Sequence, residues 1–199
     1  MIRIMIDQSP AKIAELSLIY DYEFWQLRTP LTNYALAGVP YWLDNGCFSK
    51  FEKKAWLRLI AQAKESKPVF VTMPDIVGDA RRTREMFDYF EDEVQGLPLA
   101  LVLQDGIANV DIPWQRMDAV FVGGSDQFKI APEAFAACKA AKMMGKWVHV
   151  GRVNTVERLS NWIDIADSID GTGFIKDKNK LDRMIAVIKG NHPQYVMSV

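Results

Sequence analysis

Four polar side chains stand at the same kind of place along this chain. Asp44 follows "YWL", Asp75 follows "PVFVTMP", Gln104 follows "LALVL", and Asp170 closes "DSID", so each sits at or just past the end of a short apolar run. A carboxylate that ends a buried run is held by the core and left at the edge of it. Two such carboxylates near one carbon can divide labour, one attacking or stabilising positive charge while the other moves a proton. A carboxylate next to an amide can read the edge of a heterocycle, because together they present acceptors and donors. Glycines share these places: Asp44-Asn45-Gly46, Gln104-Asp105-Gly106, Gly123-Gly124-Ser125-Asp126, Gly151-Arg152 and Asp170-Gly171-Thr172-Gly173. Taken singly, each is as readily a turn or helix-cap residue. Six run ends in succession carrying them is the pattern of a site.

The elements that must position these residues alternate. Apolar runs lie at 2–6, 40–43, 68–73, 99–103, 119–123, 146–151 and 167–171, mostly continuous rather than alternating, as parallel strands covered on both faces are. Amphipathic segments separate them. Residues 80–96 place Met86, Phe87, Phe90 and Val94 on one stripe with Gly96 as a stop. Residues 131–145 carry Pro132 in a first turn and Gly145 at the end, and 155–166 and 178–190 repeat the pattern. This is the α/β class. An open doubly wound sheet of the dinucleotide-binding kind lacks its G-x-G-x-x-G turn here. A compact (β/α)8 TIM-type barrel is predicted instead, because it gathers all strand C-termini on one rim. The eighth strand falls in the aromatic-rich 18–40 region and is irregular or missing.

The chain has 199 residues, 49% of them apolar, and a formal charge of −1. That predicts one domain over 1–199 with a real core and no global positive field. Two cysteines, Cys47 and Cys138, make no disulfide framework, and with His149 and His192 they have no zinc-site spacing, so no metal is expected. His149, inside an apolar strand, reads as a core histidine, and Cys47 as a small apolar filler. The N-terminus is too short and polar for a signal peptide, and no window approaches the ~20 apolar residues of a membrane span. A reducing cytoplasm is the predicted compartment.

The motifs resemble those of the tRNA-guanine transglycosylases. "DNGCFS" (44–49) is similar to their D-S-G-G-F/Y-Q segment, "MPDIVGDARRT" (73–83) to the segment with a base-recognising Asp, and "LVLQDG" (101–106) to V-x-Q-G. "VFVGGS" (120–125) resembles their I-G-G-L/F turn, "VHVGRV" (148–153) the strand ending G-V-G, and "DSIDGTGF" (167–174) the segment whose last Asp is the nucleophile. The order holds over about residues 40–175. The family's C-terminal Cys-rich zinc site has no counterpart, so the chain looks like the compact phage and bacterial branch that inserts 7-deazaguanines into DNA.

The resemblance implies base exchange by two displacements through a covalent ester. Asp170 is then the nucleophile and Asp44 the second carboxylate, a proton shuttle or sugar contact. The base lies against Asn45, Phe48, Asp75, Gln104, Gly123, Gly124, Val150 and Gly151. Asp75 and Gln104 read its edge, Phe48 stacks on it, and Gly124 offers a backbone N–H. The base is a 7-deazaguanine such as preQ0 or preQ1, and no cofactor is implied. Arg81, Arg82, Arg84, Arg152, Lys176, Lys178 and Lys180 follow strand ends and are candidates for holding phosphates. The acceptor is DNA, alternatively tRNA, with a helper protein to present the strand and the host cytoplasm as location if the chain is phage-encoded. Two other classes stay open. Asp44, Asp75 and Asp170 could bind a divalent metal for hydrolysis of a phosphate ester, or the barrel could bind a purine without catalysis.

Overall fold

The computed structural model describes residues 1–32 and 34–190; His192 lies outside them. Eight parallel strands close into a barrel in sequence order. They are β1 Arg3–Ile6, β2 Trp25–Arg28, β3 Tyr41–Leu43, β4 Phe70–Thr72, β5 Leu99–Leu103, β6 Ala119–Val122, β7 Trp147–Val150 and β8 Ser168–Asp170. Pairing of β8 with β1 closes the ring. The (β/α)8 barrel expected from the run ends is the fold.

The strand expected to be irregular or missing is present as β2, and it pairs in parallel with both neighbours. The irregularity lies in the helical layer. The helices are α1 Pro10–Tyr20, α2 Lys53–Ser66, α3 Ala80–Phe90, α4 Pro132–Met143, α5 Val156–Trp162, the one-turn α6 Thr172–Ile175 and α7 Lys178–Ile188. Among the described residues no helix joins β2 to β3, and only 3-10 turns at Ile107–Asn109 and Trp114–Arg116 lie between β5 and β6. The sequence explains the first gap. On the outer wall, where helix-covered strands carry aliphatics, β2 carries Gln26 and Arg28, both buried. Gln26 donates to the Ala35 carbonyl at 2.8 Å and accepts from the Ala37 N–H at 3.0 Å. Arg28 donates to the Tyr34 carbonyl and lies over the Tyr41 ring. Side chains thus satisfy the polar backbone of a loop packed where a helix would sit.

The continuous apolar runs follow from burial on both faces. Met5, Trp25, Trp42, Phe70, Ala100 and Ala119 fill the barrel. Ile4, Leu43, Val71, Leu101, Val120, Val148 and Ile169 point outward and pack with Trp56, Phe87, Phe90, Leu159, Trp162 and Leu181 of the helices. Ala100 and Ala119 on adjacent strands leave room for the stacked indoles of Trp25 and Trp147, 5.8 Å apart. Each fully buried large side chain contributes about 1.5–3 kcal/mol. The stripe expected over 80–96 is split: α3 starts at an Asp79 cap and ends at Phe90, and Val94 packs from a following 3-10 turn. α4 buries Ala134, Ala137, Cys138 and Ala141, small residues that bring the helix close to the barrel wall. No helix among the described residues is long and apolar enough to cross a membrane.

Candidate active site

A cavity of about 590 Å³ opens at the C-terminal rim, and all eight strand ends contribute to it. In strand order they supply Asp7, Thr29, Asp44, Asp75, Gln104, Gly123 with Gly124, Gly151 with Arg152, and Asp170. The four residues singled out from the run ends therefore line one cavity. Asp7 and Thr29 were missed. Asp7 stands just past the first apolar run, and the same run-end criterion would have found it. Thr32 donates its hydroxyl to Asp7 at 2.6 Å, and burial raises the Asp7 carboxyl above its ordinary value against that bond.

Asp170 is held on both oxygens. Its Oδ1 accepts from the Arg152 N–H at 2.9 Å, and its Oδ2 lies 2.9 Å from Nε2 of His149. The other ring nitrogen of His149 is 2.8 Å from the Ser168 hydroxyl. The imidazole is fully buried between Trp42 and Phe121, with centroids 4.6 and 4.7 Å away. The sequence predicts a core histidine at this position. It is a core histidine, and it also orients the candidate nucleophile. Burial alone would raise Asp170. The hydrogen bond and charge of His149, the Arg152 N–H and the charge of Lys129 outweigh it and hold Asp170 below the usual carboxylate range.

Asp44 is pushed the other way. Burial raises it to about 7, and the charges of Asp170 and Asp75 add to the shift against the backbone N–H groups of Gly46, at 3.2 Å, and Asn45. Two carboxyls of one cavity thus have separated proton affinities, Asp170 ionised and Asp44 able to carry a proton near neutrality. That separation is the mark of a paired acid and base.

Asp75 is the acceptor end of a buried amide network. Asn45 Nδ2 donates to its Oδ1 at 2.7 Å, and Gln104 Nε2 donates to its Oδ2 at 2.5 Å. Burial raises Asp75, and these bonds oppose the rise. Asn45 spends its second N–H on the Met73 carbonyl and its oxygen on the Cys47 N–H. Asn45 lines the cavity, but both of its donors are committed within the protein, so it positions Asp75 and only the second lone pair of its oxygen is left to meet a base. Gln104 accepts from the Gly78 N–H and keeps one N–H uncommitted. Cys47 is half-buried, and burial pushes its thiol up, away from the thiolate form that attacks.

The glycines are needed for reasons that differ from those expected. A Cβ on Gly124, at φ +70°, would lie 2.5 Å from Phe128 and 2.9 Å from Asp105, so it is the protein that forbids a side chain there. On Gly123 it would meet Val102 and Gln104, and on Gly151 the Phe121 ring at 2.6 Å. Both clear space for the residues that floor the cavity. The Gly123 N–H is spent on the Leu103 carbonyl. Val150 is corrected too, because its side chain lies in the outer core and does not line the cavity.

Phe48 stands at the mouth, 63% exposed, with the Arg152 guanidinium 4.1 Å from its ring centroid. It lines the cavity at its entrance. Of the seven cations expected to hold phosphates, Arg152 lines the cavity. Arg84 does not qualify: it pairs with Asp88 and donates to the Asp111 carbonyl on the flank of the barrel. Arg81, Arg82, Lys176, Lys178 and Lys180 are exposed, with Lys178 paired to Asp182 at 2.8 Å. A cation that was not foreseen is Lys129. It is fully buried, lines the cavity, and donates to the carbonyls of Val122 at 2.8 Å and Gly151 at 2.7 Å. Burial lowers its amine to about 7, while the charge of Asp170 works to raise it. Among the described residues, no three His, Cys, Asp or Glu side chains are grouped so that they could hold a metal ion.

No protein-family model matches the chain, and no curated protein matches it either. Solved structures do. The fold is shared with mandelate oxidase. A mandelate oxidase mutant carrying the C4a-OH-FMN adduct superposes with a TM-score of 0.57 at 12% identity, over 94% of this chain and 70% of its own. Mandelate oxidase with 3,3-difluoro-2-hydroxy-3-phenylpropionic acid gives 0.58 at 13%, with the same coverage. At these identities it is the barrel that is alike, and the flavin named with the first structure belongs to that protein.

Proposed function

We propose that this protein is a base-exchange transglycosylase that replaces guanine in DNA with a 7-deazaguanine through a covalent aspartyl-nucleotide ester. The observation that carries the reading is the divided pair in one cavity: Asp170 held ionised and Asp44 raised to about 7. Beside them, Asp75 and Gln104 present acceptor and donor atoms suited to the edge of guanine.

The chemistry balances with these two carboxyls alone. Asp170 attacks C1′, the C1′–N9 bond breaks, and Asp44 gives its proton to N9 of the departing guanine. The incoming base then returns a proton from its N9 to Asp44 while N9 attacks C1′ and the ester C–O bond breaks, restoring the Asp170 carboxylate. A base paired in a duplex cannot reach Asp170, so the nucleotide is flipped out or the strand is single. Phe48 and Arg152 at the mouth offer it a stacking face and a cation.

The test supplies labelled guanine with duplex DNA, single-stranded DNA or tRNA, separately and at low salt. Label enters DNA, and log affinity falls by about 0.9 per phosphate contact per log unit of salt on duplex DNA. Label entering tRNA alone would move the acceptor to RNA and leave the chemistry intact. Label entering neither would remove the transglycosylase reading.

Asp75→Asn is expected to weaken purine binding. The new NH2 must face the Asn45 or the Gln104 donor, and neither amide can turn, because their oxygens already hold the Cys47 and Gly78 N–H groups. A donor left unpaired within the protein in this way lowers stability by about 1–3 kcal/mol. Where the same NH2 meets the guanine N1–H or amine in place of an acceptor, a comparable loss falls on binding, so guanine affinity drops roughly tenfold. Calorimetric titration with guanine reads this out. Unchanged affinity would remove Asp75 as the reader.

A further inference from the structure

Lys129 has a use that the exchange scheme leaves unassigned. A lysine with no exposed surface is rare unless paired, and among the described residues no carboxylate bonds this one. Its ammonium bridges two strand ends, the Val122 carbonyl after β6 and the Gly151 carbonyl after β7. That leaves one of its three N–H donors uncommitted, in a side chain that lines the cavity. Gly151 lies against Asp170, since a Cβ placed there would be 3.5 Å from Asp170 Oδ2. The ammonium is thus one residue's width from the candidate nucleophile.

We propose that Lys129 is a positioning residue for Asp170, one that favours release of its carboxylate from the covalent ester. The inference rests on the transglycosylase reading. The positive charge that Lys129 carries in full only below about pH 7 stabilises the Asp170 anion and does nothing for the neutral ester. It therefore makes Asp170 a better leaving group in the second displacement, where the C1′–O bond breaks and the electron pair returns to the carboxylate. Lys129 exchanges no proton in that step. Its surroundings are mixed: Asp170 from β8, Arg152 after β7, Arg158 of α5, and Asp105 and Asp126 from the turns after β5 and β6. Asp170 is faced in addition by His149 and Asp44.

The experiment has two arms on the intact protein. In the first, aspartate carboxyls labelled with 13C are titrated by NMR in wild type, Lys129→Met, Lys129→Gln and Lys129→Arg, with Asp170 assigned by its loss in Asp170→Asn. Both neutral variants move the Asp170 midpoint to higher pH, and arginine returns it toward wild type. Glutamine retains a donor for the two carbonyls, so one neutral variant remains if methionine disturbs folding. A midpoint unmoved by loss of the charge overturns the proposal. In the second arm, protein is mixed at pH 6 with a guanine-containing oligonucleotide, quenched, and run on a denaturing gel. The neutral variants hold a larger fraction as covalent adduct than wild type and turn over more slowly. A purely structural role would lower adduct and turnover together, and that result overturns the ester part. Absence of both label uptake and adduct in wild type would sink the transglycosylase reading itself, while the NMR arm still decides whether Lys129 governs Asp170.

Discussion

Asp170→Asn forms no covalent adduct with DNA and exchanges no base, a loss of about 10⁴-fold or more, in the range seen when a nucleophile is removed. The variant is expected to fold, for a specific reason. Asp170 accepts from the Arg152 N–H on one oxygen and faces His149 on the other. The asparagine oxygen can keep the Arg152 bond while its NH2 turns to His149. That imidazole can then accept at Nε2 and donate from Nδ1 to the Ser168 hydroxyl, which lies within hydrogen-bond distance. The loss is thus chemical, because an amide is too poor a nucleophile. Guanine binding by Asp75 and Gln104 should survive. A quenched reaction on a denaturing gel decides the matter, and an adduct trapped by this variant would disprove the assignment.

Asp44→Asn should lose about 10²–10⁴-fold in exchange, the usual contribution of a positioned acid or base, and should gain stability at alkaline pH. Departure of guanine needs Asp44 protonated, and its carboxyl is raised to about 7. Wild-type exchange therefore declines above about pH 7, and the residual rate of the variant lacks that limb. For stability, the folded value lies above the unfolded one, about 4. The folded state's advantage in binding that proton is complete below about 4 and is lost as pH rises through about 7. Asparagine has no proton to lose. Relative to wild type, the variant gains on the order of a few kcal/mol between pH 4 and pH 8. Urea unfolding of both proteins at the two pH values measures it, and equal pH dependence would mean that Asp44 is not the raised group.

How much of this could be read beforehand depended on which face a residue served. Asp44, Asp75, Gln104 and Asp170 were legible because each stops an apolar run, and several runs in succession stop this way where strands leave a buried sheet. β2 was not legible because its outer face carries Gln26 and Arg28, whose partners are loop carbonyls far from any helix pattern. α1 shows little helical patterning, because it buries Ile13 and Leu16 while Leu18 and Ile19 stay exposed. Lys129 lies in "DQFKIAP", which reads as a solvated loop. Only the folded chain shows that a 3-10 turn at Phe128–Ile130 drives its side chain under the rim. His149 could be seen to be buried. That its ring reaches Asp170 depends on β7 and β8 pairing, with His149 opposite Ser168, which nothing in either run specifies alone.

The missing helix between β2 and β3 makes the barrel wall uneven in its resistance to opening. Strands backed by apolar helices separate only when that packing is lost, whereas the outside of β2 is held by a few amide and guanidinium bonds to a loop. Segments with few buried apolar contacts open locally at lower free energy than the rest of a fold. The weak sector carries Thr29, Leu31 and Thr32 to one side of the mouth. Asp75, Gln104 and the Asp170–His149 pair stand on strands flanked by α3, α4 and α5. The molecule is in this sense hinged by omission: the entrance can breathe on one side while Asp75, Gln104 and Asp170 stay in register on the other.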